Sequence, residues 1–355
     1  MAVVQQLRRA LPNFKPLYLC TERSIDRDIL EPTGDEFIPQ PIVPPPPAGG
    51  IHGLLRFWPS WRKTTDLVKQ VLRERIPAAV VGLGGYAAGA AVRLAAKRGV
   101  PTTILNPDVI PGKANQYLMR FAQAVCCQFD ATQQHVAPEY RPKLRTTGCP
   151  IRQQFTQLPP REEAASRLMI DPMLHTLVIT GASQGARTVN EAVVAMFRDF
   201  KLRGWQILHL SGKEHVSYVR AGYRDIGVNA RVLDFTPAMA DVWSVADLAI
   251  SRSGASTCAE LTACGIPSIL MPYPFHKDLH QRANAKVLAD AGAAVLLDDQ
   301  KEAKINAKAL APLLEPLLYD NNKRQAMAQA ARQLGHPNAA AAVADVVTQM
   351  LSLNR

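Results

Sequence analysis

Two glycine-bearing turns carry residue types that suit a phosphate. The text GASQGAR at 181–187 follows the apolar run LVIT and opens a helical pattern. Gly181 and Gly185 let backbone N–H groups approach an anion closely, and a helix N-terminus behind them favours negative charge. Ser183 and Gln184 add side-chain donors. A plain strand-to-helix turn that binds nothing fits the same text. The second turn, SRSGAST at 251–257, follows LAIS and opens a helix carrying Glu260. A carboxylate there can accept paired hydrogen bonds from ribose hydroxyls, as acidic residues do in dinucleotide sites. It is equally well read as a first-turn acid complementing the helix dipole.

Three further stretches carry less specific signals. In HQRANA at 280–285, Gln281 and Asn284 share a helix face, with His280 or Lys277 nearby. Amides suit polyhydroxylated ligands, although solvated helix positions are their commoner fate. The text VGLGGYAAG at 81–89 places Gly82, Gly84, Gly85 and Gly89 between a strand and a helix, a second candidate phosphate cradle. In LLRFWPSWRK at 54–63, Leu54, Leu55, Phe57, Trp58 and Trp61 lie among Arg56, Arg62 and Lys63. That mixture fits an interfacial membrane contact, a core helix or an aromatic–basic nucleic-acid patch.

The elements that position these residues alternate in type. Short apolar runs (LYLC, AAVVGL, TTIL, LVIT, QILHL, LAIS, SILMP) are separated by helical patterns and glycine turns. This is the signature of parallel sheets covered on both faces. The pattern pauses at TGCPIRQQFTQLPP, 147–160, which reads as an interdomain linker. PIVPPPPAGG at 41–50 is a stiff polyproline spacer closed by two glycines. The domains expected are 1–147, a linker 148–160, 161–337, and a final helix over 338–355. The opening text MAVVQQLRRALPN predicts an amphipathic helix, where a doubly wound domain ordinarily opens with a strand and a glycine turn.

At 355 residues the chain is long enough for two domains, and 47% apolar with 20% charged residues is a globular composition. Its net charge of +11 points to an anionic partner: nucleic acid, an anionic membrane or a phosphate-bearing substrate. The excess lies mainly in the first 150 residues, with 19 Lys and Arg against 11 Asp and Glu. The six cysteines form no C-x-x-C pair and no histidines stand at zinc-ligand spacing, so neither a metal site nor a bound cofactor is expected. No apolar run approaches the ~20 residues that cross a bilayer, so membrane contact is expected to be peripheral.

Taken in order, LGGYAAG, PGKAN at 111–115, GCPIR at 148–152, GASQGAR, DFTPAMADVWSVADLAISRSGASTCAEL at 234–261 and HQRANA resemble the MurG family over nearly the whole chain. These are transferases that move N-acetylglucosamine from UDP-N-acetylglucosamine onto an undecaprenyl-pyrophosphoryl muramyl-pentapeptide in peptidoglycan synthesis. The resemblance implies a GT-B architecture, two Rossmann-like domains facing a cleft, with inverting hexosyl transfer. Carried over by position, it implies donor contacts at Arg152, Ser183, Gln184, Thr236, Ala255, Ser256, Thr257, Glu260, Gln281 and Asn284. The acceptor diphosphate falls to Gly84, Gly85 and Tyr86. Leu54, Leu55, Trp58, Trp61 and Arg62 match a patch that docks on an anionic membrane, which implies a peripheral enzyme on the cytoplasmic face of the bacterial plasma membrane and no nucleic-acid partner.

Four departures stand out. The family opens with a strand and the text GGTGGH, and this sequence begins at the helix that follows, as though the first domain lacked that strand and loop or the start lay upstream. The family's HEQN is LNPD at 105–108; Cys149 replaces an asparagine and Ala182 a glycine. No catalytic base is assigned, although Asp108 is a carboxylate in the right stretch. Two alternatives follow from these departures: a UDP-sugar transferase for another lipid acceptor, and a UDP-sugar-binding protein without catalysis.

Overall fold

The computed structural model describes residues 1–46, 51–181, 185–275 and 278–353. The chain divides into two compact units, one of residues 1–150 with 338–355 and one of residues 151–337.

The first unit runs α1 (Ala2–Ala10), β1 (Leu17–Thr21), α2 (Ser24–Leu30), β2 (Glu36–Gln40), α3 (Ile51–Glu74), β3 (Val80–Gly82), α4 (Ala88–Lys97), β4 (Thr102–Asn106), α5 (Lys113–Leu118), β5 (Ala124–Cys127) and β6 (Leu144–Thr146). The second runs α6 (Arg161–Leu168), β7 (His175–Thr180), α7 (Arg187–Met196), β8 (Trp205–Leu210), α8 (Val216–Asp225), β9 (Ala230–Leu233), α9 (Met239–Val245), β10 (Leu248–Ser251), α10 (Ala255–Cys264), β11 (Ser268–Leu270), α11 (His280–Asp290), β12 (Ala294–Leu296), α12 (Ala303–Tyr319) and α13 (Asn321–Leu334). The last helix, α14 (Ala339–Ser352), belongs to the first unit.

Every described strand pair is parallel. In the first unit β3-β4-β5-β6 form one sheet, and β1-β2 form a separate pair. The amphipathic α1 turns Leu7 onto Ala344 and Val347 of α14, with Val81 of β3 packed beside them. On another face, Val68 and Leu72 of α3 bury against Ala91 and Ala95 of α4, and Leu19 of β1 packs on that cluster. The chain's first described element is thus a helix, as its periodicity predicts.

The second unit holds a six-stranded sheet in the order β12-β11-β10-β7-β8-β9. Its central strands are buried along their length: His175 apart, every residue of β7 is buried, as are all six of β8. A continuous apolar run needs both faces covered, and α7, α12 and their neighbours cover them. Strand order reverses between β7 and β10, so the connections leaving these adjacent strands diverge to opposite sides. Ligands of open parallel sheets bind at such switch points, outside the carboxyl ends of the strands. Both glycine turns singled out in the sequence leave the sheet here.

One expectation changes. Residues 148–160 are not a bare linker, since Ile151 and Phe155 are buried in the second unit and Gln153–Phe155 form a short 3-10 turn.

Candidate functional site

The turn after β7 is built by close approach. A Cβ on Gly181 would lie 2.1 Å from the Ala186 nitrogen, and one on Gly185 (φ +73°) would lie 2.2 Å from the Ser211 carbonyl oxygen. Only glycine fits both places, and the backbone then leads into α7. Ser183 and Gln184, expected at a diphosphate, lie outside the described residues.

The turn after β10 opens α10 with Gly254 at the N-cap, a residue with no side chain to close the first turn. Ala255, Ser256 and Thr257 form that first turn, Ser256 exposed and the other two partly so. A helix of this length with such an opening offers backbone N–H groups and positive dipole to an anion.

A buried ion pair joins the two turns. Arg252, between β10 and Gly254, donates to Asp299 at 2.8 Å, to the carbonyls of Met271 and Pro272, and to Thr188 of α7 at 2.7 Å. Asp299 also accepts from Thr188, Asn306 and the Lys301 backbone. Burial alone would raise the Asp299 carboxyl, but these hydrogen bonds outweigh it and hold the carboxyl below its usual range. The two turns are therefore fixed to each other by a buried polar network in which both terminal nitrogens of Arg252 and both oxygens of Asp299 are bonded. Its members span residues 188 to 306, with no local signature.

Glu260 is half-buried on α10. Its Oε2 accepts the indole N–H of Trp243 at 2.9 Å, and Arg152 adds a favourable charge. Burial pushes the carboxyl up, and the Trp243 hydrogen bond and Arg152 pull it part of the way back. Arg152 lies over the Phe155 ring and donates to the Pro237 carbonyl, next to Thr236. Thr236 turns its hydroxyl inward to accept the Ala238 N–H, ahead of α9. Arg152, Thr236 and Glu260, far apart in sequence, are thereby brought into one region beside the β10 turn.

Gln281 and Asn284 divide their roles. The Gln281 amide oxygen accepts the Tyr273 N–H at 2.9 Å, which leaves its NH₂ group as the donor end. Asn284 is fully buried and donates to the Ser253 carbonyl, while the Ser253 hydroxyl donates to the Gln281 carbonyl. Asn284 was expected to read a sugar; buried here, it braces α11 against the β10 turn. The three-residue spacing that suggests a shared face does not say which member of the pair faces the core.

In the first unit Gly84 (φ +87°), Gly85 (φ +72°) and Tyr86 form the turn between β3 and α4. Asn115 of α5 lies directly against Gly84, where a Cβ would stand 3.2 Å from its Oδ1. The Asn115 NH₂ group donates to the Leu105 carbonyl and to Asn106 Oδ1, and Asn106 donates to the Asp108 carbonyl. The LNPD text thus supports the glycine turn through Asn115.

On α3, Leu54, Leu55 and Trp58 are exposed, Leu55 by 67% and Trp58 by 61%, and Arg62 is exposed beside them. Trp61, expected in the same patch, is partly buried: its ring packs on Gly89 and against the α3–α4 core. Phe57 stacks on Trp61 and meets Trp58 edge to face. No helix among the described residues is long and apolar enough to cross a membrane.

Comparison with known sequences places the chain in one family. The glycosyltransferase family 28 N-terminal domain matches residues 1–127, and the family's C-terminal domain matches residues 176–344. The UDP-N-acetylglucosamine–N-acetylmuramyl-(pentapeptide) pyrophosphoryl-undecaprenol N-acetylglucosamine transferase of Stutzerimonas stutzeri is 37% identical over 284 residues, covering 79% of this chain and 76% of that one. The protein of the same name from Halothermothrix orenii is 31% identical over 328 residues, covering 90% and 87%. The crystal structure of Acinetobacter baumannii MurG superposes with a TM-score of 0.75 at 28% identity, covering 98% of this chain and 94% of that one.

Proposed function

Because this chain belongs to glycosyltransferase family 28, within its MurG branch, we propose that its second unit holds the UDP-sugar at the switch point between β7 and β10. The enzyme transfers N-acetylglucosamine from UDP-N-acetylglucosamine to undecaprenyl-pyrophosphoryl-N-acetylmuramyl-pentapeptide in peptidoglycan synthesis. It is a peripheral membrane protein, and its site of work is the cytoplasmic face of the plasma membrane.

One observation carries the placement of the donor. Two glycine turns suited to phosphate leave adjacent strands of a parallel sheet, and an acidic residue stands on the helix that the second turn opens. The diphosphate sits against the Gly181–Gly185 turn and the first turn of α10, where Ser183 and Thr257 donate hydrogen bonds. Glu260 accepts from the ribose hydroxyls. The backbone at Thr236 meets the uracil, with Arg152 alongside. The Gln281 NH₂ group reads the sugar, and Asn284 serves it indirectly by fixing α11.

The reaction is an inverting displacement. The C4 hydroxyl of the muramyl sugar forms a bond to the anomeric carbon of N-acetylglucosamine as the bond to the UDP oxygen breaks. Negative charge grows on the departing diphosphate, where a helix N-terminus and prepaid backbone donors stabilise it without reorganisation. The acceptor's own diphosphate is assigned to Gly84, Gly85 and Tyr86, whose backbone is held by Asn115. Leu54, Leu55, Trp58 and Arg62 bring the enzyme to its lipid-linked substrate at an anionic surface.

Titration calorimetry tests the donor assignment. Glu260→Ala is expected to weaken UDP binding by ~1–3 kcal/mol, the range for charge-assisted hydrogen bonds. Unchanged affinity removes Glu260 from the site.

A further inference from the structure

Trp243 is 1% exposed, on a helix of seven residues. A buried indole N–H needs an acceptor, and a backbone carbonyl ordinarily suffices. The chain's other buried tryptophan does just that: Trp205 donates to the Leu318 carbonyl. Trp243 instead donates to Glu260, an ionisable side chain only half-buried, on the helix that opens at the phosphate turn. Among the described residues Glu260 Oε1 takes no hydrogen bond, so the indole engages one oxygen and leaves the other for a ligand.

The support behind Trp243 is rigid. Asp241 in the same helix is clamped by Arg167 of α6 through two hydrogen bonds, at 2.9 and 2.7 Å. The helix is preceded by the Thr236 hydroxyl bonded to the Ala238 N–H. Helix α9 therefore links the stretch assigned to the base with the residue assigned to the sugar of the same nucleoside. A glutamate side chain that rotates freely must be ordered by each ligand it binds; one already fixed by a buried donor need not be.

We propose that Trp243 is a positioning residue for nucleotide recognition, whose indole N–H holds the Glu260 carboxylate oriented towards the ribose hydroxyls. This rests on the assignment of Glu260 to the ribose.

The experiment measures binding of UDP and of 2′,3′-dideoxy-UDP to the full chain and to Trp243→Phe and Glu260→Gln, with steady-state transfer kinetics alongside. Trp243→Phe is expected to weaken UDP about tenfold, the scale of one oriented hydrogen bond. It should raise KM for the UDP-sugar with kcat held within about twofold, and leave dideoxy-UDP binding unchanged. An equal loss for both nucleotides, or no loss for UDP, overturns the proposal. Where Trp243→Phe does not fold, the wild-type indole N–H resonance of Trp243 decides, assigned through Trp→Phe variants at 58, 61 and 205. It must move in Glu260→Gln and on UDP addition; a resonance indifferent to both sinks the proposal. If Glu260→Gln binds UDP as wild type does, the ribose assignment itself is wrong. If Glu260→Gln is weak and Trp243→Phe is not, only the positioning role falls.

Discussion

Arg252 and Asp299 form a buried ion pair, 2.8 Å apart, that ties the turn after β10 to the turn after β7 through Thr188. Every oxygen of the carboxylate is occupied, and the guanidinium also holds two carbonyls of the segment before α11. Removing one partner strands a charge in the interior. Asp299→Ala is therefore expected to cost the second unit about 3–5 kcal/mol of folding stability, measured by urea denaturation. A loss below ~0.5 kcal/mol, the range of an ordinary surface change, would show that the pair carries no structural weight.

A second buried network sets an acid limit. His209 is fully buried between the Tyr223 hydroxyl and Asn190 Oδ1, and burial lowers its pKa to about 3. The unfolded chain takes up a proton near pH 6.5 that the folded chain refuses. Stability is thus fully present above pH 6.5 and drains away as pH falls towards the folded value. The expected loss is about 2 kcal/mol between pH 6.5 and 5. Melting curves across that interval check it, and His209→Gln should flatten the slope.

Glu260 gives nucleotide binding its own pH dependence. Burial raises its carboxyl, opposed by Trp243 and Arg152; the Cys264 thiol lies on the same helix, with Arg332 of α13 beyond it. Asp241 on α9 is paired to Arg167, and His280 on α11 to Asp278. Because the ionised form accepts the ribose hydroxyls, UDP affinity is expected to fall as pH drops through this raised pKa. Folding responds with the opposite sign, since a raised carboxyl favours the folded state at low pH and less so as pH rises. Calorimetry from pH 8 to 5 on wild type and Glu260→Gln separates this from titration of UDP itself, which both proteins share.

The exposed face of α3 is open to a direct test. Burying Leu55 and Trp58 in a lipid interface is worth about 1.5–3 kcal/mol for each side chain. Replacing both with Ser should lower partition onto vesicles rich in anionic lipid by more than tenfold, without moving the melting temperature. Partition that responds to salt but not to these two residues would assign the contact to charge alone.

Much of the second unit was legible before its structure. The runs LVIT and LAIS are apolar enough to be central strands, and each is followed by glycines that a packed turn requires. What those texts do not reveal is adjacency. That β7 and β10 lie side by side follows from strand order, and the Arg252–Asp299 pair exists only because of it. Spacing fixes which residues share a face, but burial of Asn284 under Ser253, and partial burial of Trp61 against Gly89, depend on what packs there. Nothing in DVWSVAD announces that the Trp243 indole reaches a carboxylate seventeen residues on.

The central claim is best tested by the transfer itself. The full chain is incubated with radiolabelled UDP-N-acetylglucosamine and undecaprenyl-pyrophosphoryl-N-acetylmuramyl-pentapeptide in vesicles, with a diacylglycerol as competing acceptor. The label is expected in a disaccharide on the pyrophosphoryl lipid, formed with inversion, and to be greatly reduced in Glu260→Ala. Label found only on the glycerolipid, or release of free sugar with no lipid-linked product, would contradict the account.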